Sequence, residues 1–223
     1  MNVSDYSKKM MYFSLFLASV LTPLGGSEQS VNNYIKDVYT ANTLDNINFV
    51  KKDFSKDKEK INIKAEEFVN AARRYIGVPY MEDGRDTKGN PGLDCMGLVF
   101  RAYSDVTGNP WTDFSVYPSV LVKRKQIGSP VKGLDGILKE NLDISKLENG
   151  DVIYLLGNWK INDSSLMEVE GKKYWPWHMG IYSDKENHFF LEADPGAGVR
   201  EHPFEDMLSS DGTKALFVTR PFN

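Results

Sequence analysis

Four side chains in this chain have the chemistry of a nucleophile and its base: the single cysteine, Cys95, and three histidines, His178, His188 and His202. A thiol attacks an amide carbonyl when a neighbouring base takes its proton and later protonates the leaving amine, and imidazole suits both steps. A lone cysteine is more often an inert buried thiol, so its surroundings decide. Cys95 lies in Leu93-Asp94-Cys95-Met96-Gly97-Leu98-Val99-Phe100-Arg101-Ala102-Tyr103, where apolar residues at 98, 99, 102 and 103 predict a helix opening at the cysteine. Asp94 is its natural N-cap. A sulfur in the first turn of a helix meets unpaired backbone N–H groups and the positive end of the macrodipole, which favour thiolate and suit an oxyanion.

His178 opens a strand-like HMGIY after the aromatic YWPW, and HFFLEA follows across the turn Ser183 to Asn187. Pairing Tyr182 with His188 in an antiparallel hairpin sets Ile181 opposite Phe189, Met179 opposite Leu191 and His178 opposite Glu192. The four apolar residues then share one face, and His178, Gly180, Tyr182, Glu192 and Asp194 share the other. Glu192 is thus the carboxylate that orients the imidazole, and a slip of two residues would bring Asp194 there instead. The plainer readings are a hydrogen-bonded strand histidine and a solvent-facing glutamate. His188 is expected to sit away from the strand end where Cys95 docks, and His202 in a polar loop before Pro203. The three histidines lack the helical spacing of a metal site, and no metal or cofactor is expected.

These residues need elements to hold them. Ala65, Phe68, Val69, Ala72 and Ile76 recur at helical spacing, and Gly77-Val78-Pro79 then stops the helix. The second half reads in short strands, Asp151 to Leu156, Met179 to Tyr182, His188 to Ala193 and Ala215 to Arg220, separated by turn-forming stretches. Helices first and strands later is the pattern of an α+β domain with an antiparallel sheet.

The chain has 223 residues, enough for one good core. Its formal charge of -4 carries no long basic stripe, which excludes a phosphate-tracking surface, and nucleic acid is not an expected partner. One cysteine excludes an intrachain disulfide and a thiolate-rich zinc site. Met10 to Leu24 is an uncharged, mostly apolar run preceded by Lys8 and Lys9 and followed by Gly25-Gly26-Ser27. It reads as a signal peptide over 1–27 and is too short to span a membrane; an uncleaved anchor is the other reading. Residues 28–62 are polar and charge-dense, a linker or loosely packed arm. The folded domain is expected over 63–223, in a protein exported to the periplasm or beyond and monomeric by default.

The blocks Gly77-Val78-Pro79-Tyr80, Leu93 to Val99, Leu147-Glu148-Asn149-Gly150-Asp151-Val152-Ile153-Tyr154, His178 to Tyr182 and Phe190-Leu191-Glu192-Ala193 stand in one order along most of the mature chain. That series resembles the NlpC-type cell-wall cysteine peptidases. The resemblance implies a papain-like fold with N-terminal helices packed on a central sheet of about five or six strands. It also implies hydrolysis of peptidoglycan stem peptides, commonly between D-γ-glutamate and a diamino acid. Cys95 would be the nucleophile, His178 the base and Tyr80 a helper of the oxyanion, with Asp94 beside the nucleophile. The family's third member is usually a second histidine before the alanine of the last block; here Glu192 stands there. Met96 replaces the usual serine, and the segments Pro110 to Lys146 and Gly157 to Trp177 exceed a minimal domain, as substrate-shaping insertions often do. Trp111, Trp159, Tyr174, Trp175 and Trp177 either line a glycan or peptide groove or fill the core. The rival readings are an acyltransferase or amidase on the same fold, an inactive binding module that keeps the groove, and an effector released against competing cells.

Overall fold

The computed structural model describes residues 59–60, 63–85 and 92–222. The leader expected over 1–27 and most of the arm expected over 28–62 lie outside the described residues. The compact unit begins at Glu59.

Helix α1 (63–73) buries Phe68, Val69, Ala71 and Ala72, the stripe expected of residues three and four apart. Helix α2 (Cys95–Thr107) starts at the cysteine. The Asp94 carboxylate accepts the Gly97 N–H at 2.7 Å, and Gly108, at φ 74°, ends the helix by donating its N–H to Ser104 O. A short helix α3 (Pro118–Lys123) follows.

Strands then take over: β1 (Ser129–Leu138), β2 (Val152–Gly157), β3 (Met167–Val169), β4 (Lys172–Asp184), β5 (Phe189–Asp194), β6 (Gly198–Pro203) and β7 (Ala215–Arg220), with α4 (Phe204–Ser209) before the last. Among the described residues the sheet has seven strands, in the order β1-β7-β2-β4-β5-β6, with β3 paired to the start of β4. Every strand pairing is antiparallel. The fold class is therefore α+β, as expected, and the continuous ladder has six strands.

Both faces of the sheet are covered, which is why β2 reads as an unbroken apolar run and is wholly buried. Val152, Tyr154, Met179, Ile181, Leu191 and Ala193 pack against Leu98, Val99 and Ala102 of α2 and against α1. Ile153, Leu155, Tyr182, Phe190, Leu216 and Val218 face the other way and meet Phe204 and Met207 of α4. Each large side chain removed from water in this way contributes about 1.5–3 kcal/mol. At the foot of β2, fully buried Asp151 is held by Arg220 of β7 at 2.7 and 2.8 Å, so the strand ends are pinned by a desolvated ion pair. Among the described residues no helix is long and apolar enough to cross a membrane.

The β4–β5 register differs from expectation. Ile181 pairs with Leu191 and Tyr182 with Phe190, so Tyr182 does not face His188 and the ladder is slipped by two residues. The cause is local. His188 takes a left-handed conformation, φ 55°, and belongs to the turn, while a bulge lies between Tyr182 and Asp184. A slip of two preserves the alternation of faces, so Met179, Ile181 and Leu191 still share one side, while Tyr182 on the other side packs with Phe190 in a second apolar core.

Candidate active site

The amino end of α2 and the middle of β4 meet at a cavity of about 530 Å³ whose lining includes Tyr80, Asp94, Cys95, Trp177 and His178. Cys95 is half-buried at the first position of α2. Its placement rests on close packing. A Cβ on Gly97 would strike the carbonyl oxygen of Gly84, so only glycine lets the first helical turn lie against that loop. Asp94 is held on two sides, by the Gly97 N–H and by the Arg85 guanidinium, which also lies over the Phe100 ring at 5.8 Å.

Tyr80 is brought in by a parallel bridge to Leu93, two residues before the cysteine. Burial and then the neighbouring Cys95 and Asp94 push its phenol up, so it stays a neutral O–H donor at neutral pH.

His178 is 8% exposed. Its Nε2 lies 2.6 Å from Glu192 Oε2, and Cys95 lines the same cavity beside the imidazole. With Nε2 taken by the carboxylate, Nδ1 is the nitrogen left for the sulfur. Burial alone would lower the imidazole's pKa. The neighbouring Cys95 and Glu192 outweigh it and carry the pKa up to about 10, so the ring is imidazolium at neutral pH. Trp177 stacks beside the ring, centroids 5.4 Å apart at 29°.

Glu192 is 1% exposed. Such a carboxylate is costly unless its oxygens are paired. Arg200 of β6 reaches Oε1 with Nε and Nη2 at 3.1 and 2.9 Å, and His202 Nε2 lies 2.8 Å from the same oxygen. Burial opposes ionisation here, but these partners and His178 hold the carboxyl below the usual carboxylate range.

Asp194, the other carboxylate considered from sequence, does not touch His178. Its Oδ1 accepts the Gly196 and Ala197 N–H groups at 2.7 and 2.8 Å, and its Oδ2 takes Arg200 Nη2 at 3.0 Å. It caps the β5–β6 turn. His188 meets the Tyr182 hydroxyl away from the cavity. His202 is in strand β6 and buried, where a polar loop was expected. Arg85 and Arg200 were not singled out from sequence, and His202 was considered only as a loop histidine. Their partners lie elsewhere in the chain, so no single segment announces them.

The two insertions form one wall of the cavity. Asp163 accepts the Ser119 N–H at 3.0 Å and the Ser119 hydroxyl, joining the 157–177 excursion to α3. Of the five aromatic residues considered, Trp177 lines the cavity, and Trp159, 42% exposed, packs on it with centroids 6.1 Å apart. Tyr174 belongs to the core cluster, and Trp111, partly buried, packs against it.

Neither a protein-family model nor a curated protein matches the sequence. Among solved structures, an N-acetylmuramoyl-L-alanine amidase from Bacteroides uniformis is similar at a TM-score of 0.50 and 13% identity, over 72% of this chain and 99% of that one. A second crystal structure under that name and organism gives 0.49 at 13% identity, with the same coverage of 72% and 99%. A Staphylococcus aureus protein described as similar to a lipoprotein of the NLP/P60 family gives 0.43 at 17% identity, over 73% of this chain and 42% of its own. The chain thus shares the fold of the Bacteroides amidase across nearly the whole of that enzyme.

Proposed function

We propose that this chain is a cell-wall hydrolase that cleaves an amide bond of peptidoglycan through Cys95 and His178. The single observation that carries the reading is that His178, bonded to the buried Glu192, lines the same cavity as Cys95 at the amino end of α2. An imidazolium fixed between a sulfur and a carboxylate is the resting state of a cysteine acyl-transfer site.

In this reading the Cys95 thiolate attacks the scissile carbonyl, and the oxyanion is taken up by the backbone N–H at the start of α2 and the Tyr80 hydroxyl. His178 gives its proton to the leaving amine as the C–N bond breaks, leaving a thioester on Cys95. The same imidazole then takes a proton from water, whose oxygen displaces the sulfur, and the acid product leaves with the ion pair restored. Glu192 holds the ring in place and balances the imidazolium charge.

The substrate is proposed to be a stem peptide, cut between D-γ-glutamate and the diamino acid. A second reading, cleavage between N-acetylmuramic acid and L-alanine, is favoured by the overlap with nearly the full length of the Bacteroides amidase. Export to the cell envelope, action as a monomer and the leader over 1–27 belong to the same proposal.

Digestion of purified peptidoglycan by the wild type and by Cys95→Ala, with products identified by mass spectrometry, tests it. Products cut within the stem support the first reading, and intact stems with a free L-alanine amine support the second. No cleavage, together with a thiol that resists alkylation, would overturn both.

A further inference from the structure

The carboxylate behind His178 is itself gripped from the far side. Arg200 stands directly opposite Glu192 in the β5–β6 ladder, and His202 stands two residues on, on the same face. His178 approaches Oε2 from β4, while Arg200 and His202 both address Oε1 from β6. The grip extends outward: Arg200 also binds Asp194 Oδ2 at 3.0 Å, and His202 Nδ1 lies 3.2 Å from Asp206 Oδ2 of α4.

Both nitrogens of His202 face carboxylates. Nδ1 is in hydrogen-bonding geometry with Asp206, while Nε2 approaches Glu192 as a close charge contact rather than along a hydrogen-bond direction, and a charged ring is favoured by both carboxylates. The charged groups around His202 are Glu192 on β5, Asp206 on α4, Arg200 on its own strand and, across Glu192, His178 on β4; the apolar Phe190 ring packs edge-on at 6.2 Å. Glu192 and Asp206 favour its charged form over the opposition of burial and Arg200.

We propose that Arg200 and His202 are positioning residues that jointly fix and keep ionised the Glu192 carboxylate, and through it set the Cys95–His178 pair. The inference rests on the Cys–His reading above. With Oε1 taken up on the β6 side, Oε2 is the oxygen left to His178, and the carboxylate cannot rotate away when the imidazolium gives up its proton. Arg200 is itself 41% exposed, so its substitution leaves the core intact.

The test is the pH dependence of Cys95 alkylation by iodoacetamide in the full chain, which needs no substrate, run beside kinetics on stem peptides. The variants are Arg200→Met, Arg200→Lys and His202→Phe, the last keeping a ring against Phe190. Arg200→Met and His202→Phe should each move the acid limb up by about one pH unit and lower kcat about tenfold, with KM nearly unchanged. Arg200→Lys should recover most of the loss. In a Glu192→Gln background Arg200→Met should add nothing.

An unmoved limb, a fall in Tm with no change of limb, or a shift that persists without the Glu192 charge would each overturn the inference while leaving the nucleophile reading standing. A wild-type limb no lower than that of a free thiol would overturn the nucleophile reading and this inference with it.

Discussion

His178 and Glu192 meet on a diagonal of the β4–β5 ladder. The register that pairs Ile181 with Leu191 would, if continued, set Asp194 opposite His178, yet the 2.6 Å contact is to Glu192. Side chains two residues off direct opposition remain on one face and within reach when they are long. Glutamate has the extra methylene that spans the offset, and Asp194, shorter, is committed to its own turn.

Replacing Glu192 by glutamine keeps size and one oxygen but removes the charge that balances imidazolium. The expected outcome is a fall in kcat on the order of 10²-fold or more with little change in KM, smaller than the loss in Cys95→Ala. Steady-state kinetics on a stem-peptide substrate check this. A wild-type kcat in Glu192→Gln would remove the carboxylate from the mechanism.

The same pair makes stability depend on pH in two directions. His178 has a raised pKa, so its contribution is complete below the unfolded value of about 6.5 and is lost as pH climbs through about 10. Glu192 has a lowered pKa, so its contribution is complete above the unfolded carboxylate value of about 4.3 and is lost as pH falls below it. Urea midpoints of wild type and Glu192→Gln should differ most near pH 6 and converge toward both ends. A gap constant from pH 4 to 10 would contradict this.

Gly97→Ala should damage the site without touching a reactive atom. The added methyl would meet the Gly84 carbonyl oxygen, and the first turn of α2 must move to relieve it. A loss of about 1–3 kcal/mol is expected, as for other overpacked sites, together with slower alkylation of Cys95. Thermal melts and alkylation rates are the measurements, and an unchanged Tm would show that the loop yields freely.

Ser119→Ala should act on binding. It removes the hydroxyl bond to Asp163 and leaves the backbone bond at 3.0 Å. The cavity wall loosens, and KM should rise about threefold to tenfold, the worth of one hydrogen bond, with kcat within about twofold. A fall in kcat at constant KM would mean that the wall governs the chemical step.

The proposed reactive residues were legible because their signals are local. Asp94 before Cys95 and the apolar spacing after it specify a capped helix, and HMGIY specifies a strand carrying His178, although that strand starts earlier, at Lys172, and takes in the YWPW expected as a loop. The alternation of faces was equally legible, since a slip of two residues leaves it unchanged. The register was not, because it hangs on the left-handed His188 and the bulge after Tyr182, which no period reveals. Strands β1 and β6 also escaped. SPVKGLDGIL carries two glycines at positive φ and breaks its own ladder, and GVREHP is polar because its inward side chains answer Glu192. A buried ion network cannot be read from one strand, since each member looks like a surface residue until its partner is placed.

The clasp between Ser119 and Asp163 joins two stretches that lie 44 positions apart in the chain. Neither excursion completes the wall without the other, so their lengths are not free to drift separately. Among descendants of this gene, shortening one should be accompanied by shortening the other, and a lineage that lost only one would inherit an open trough that admits bulkier substrates.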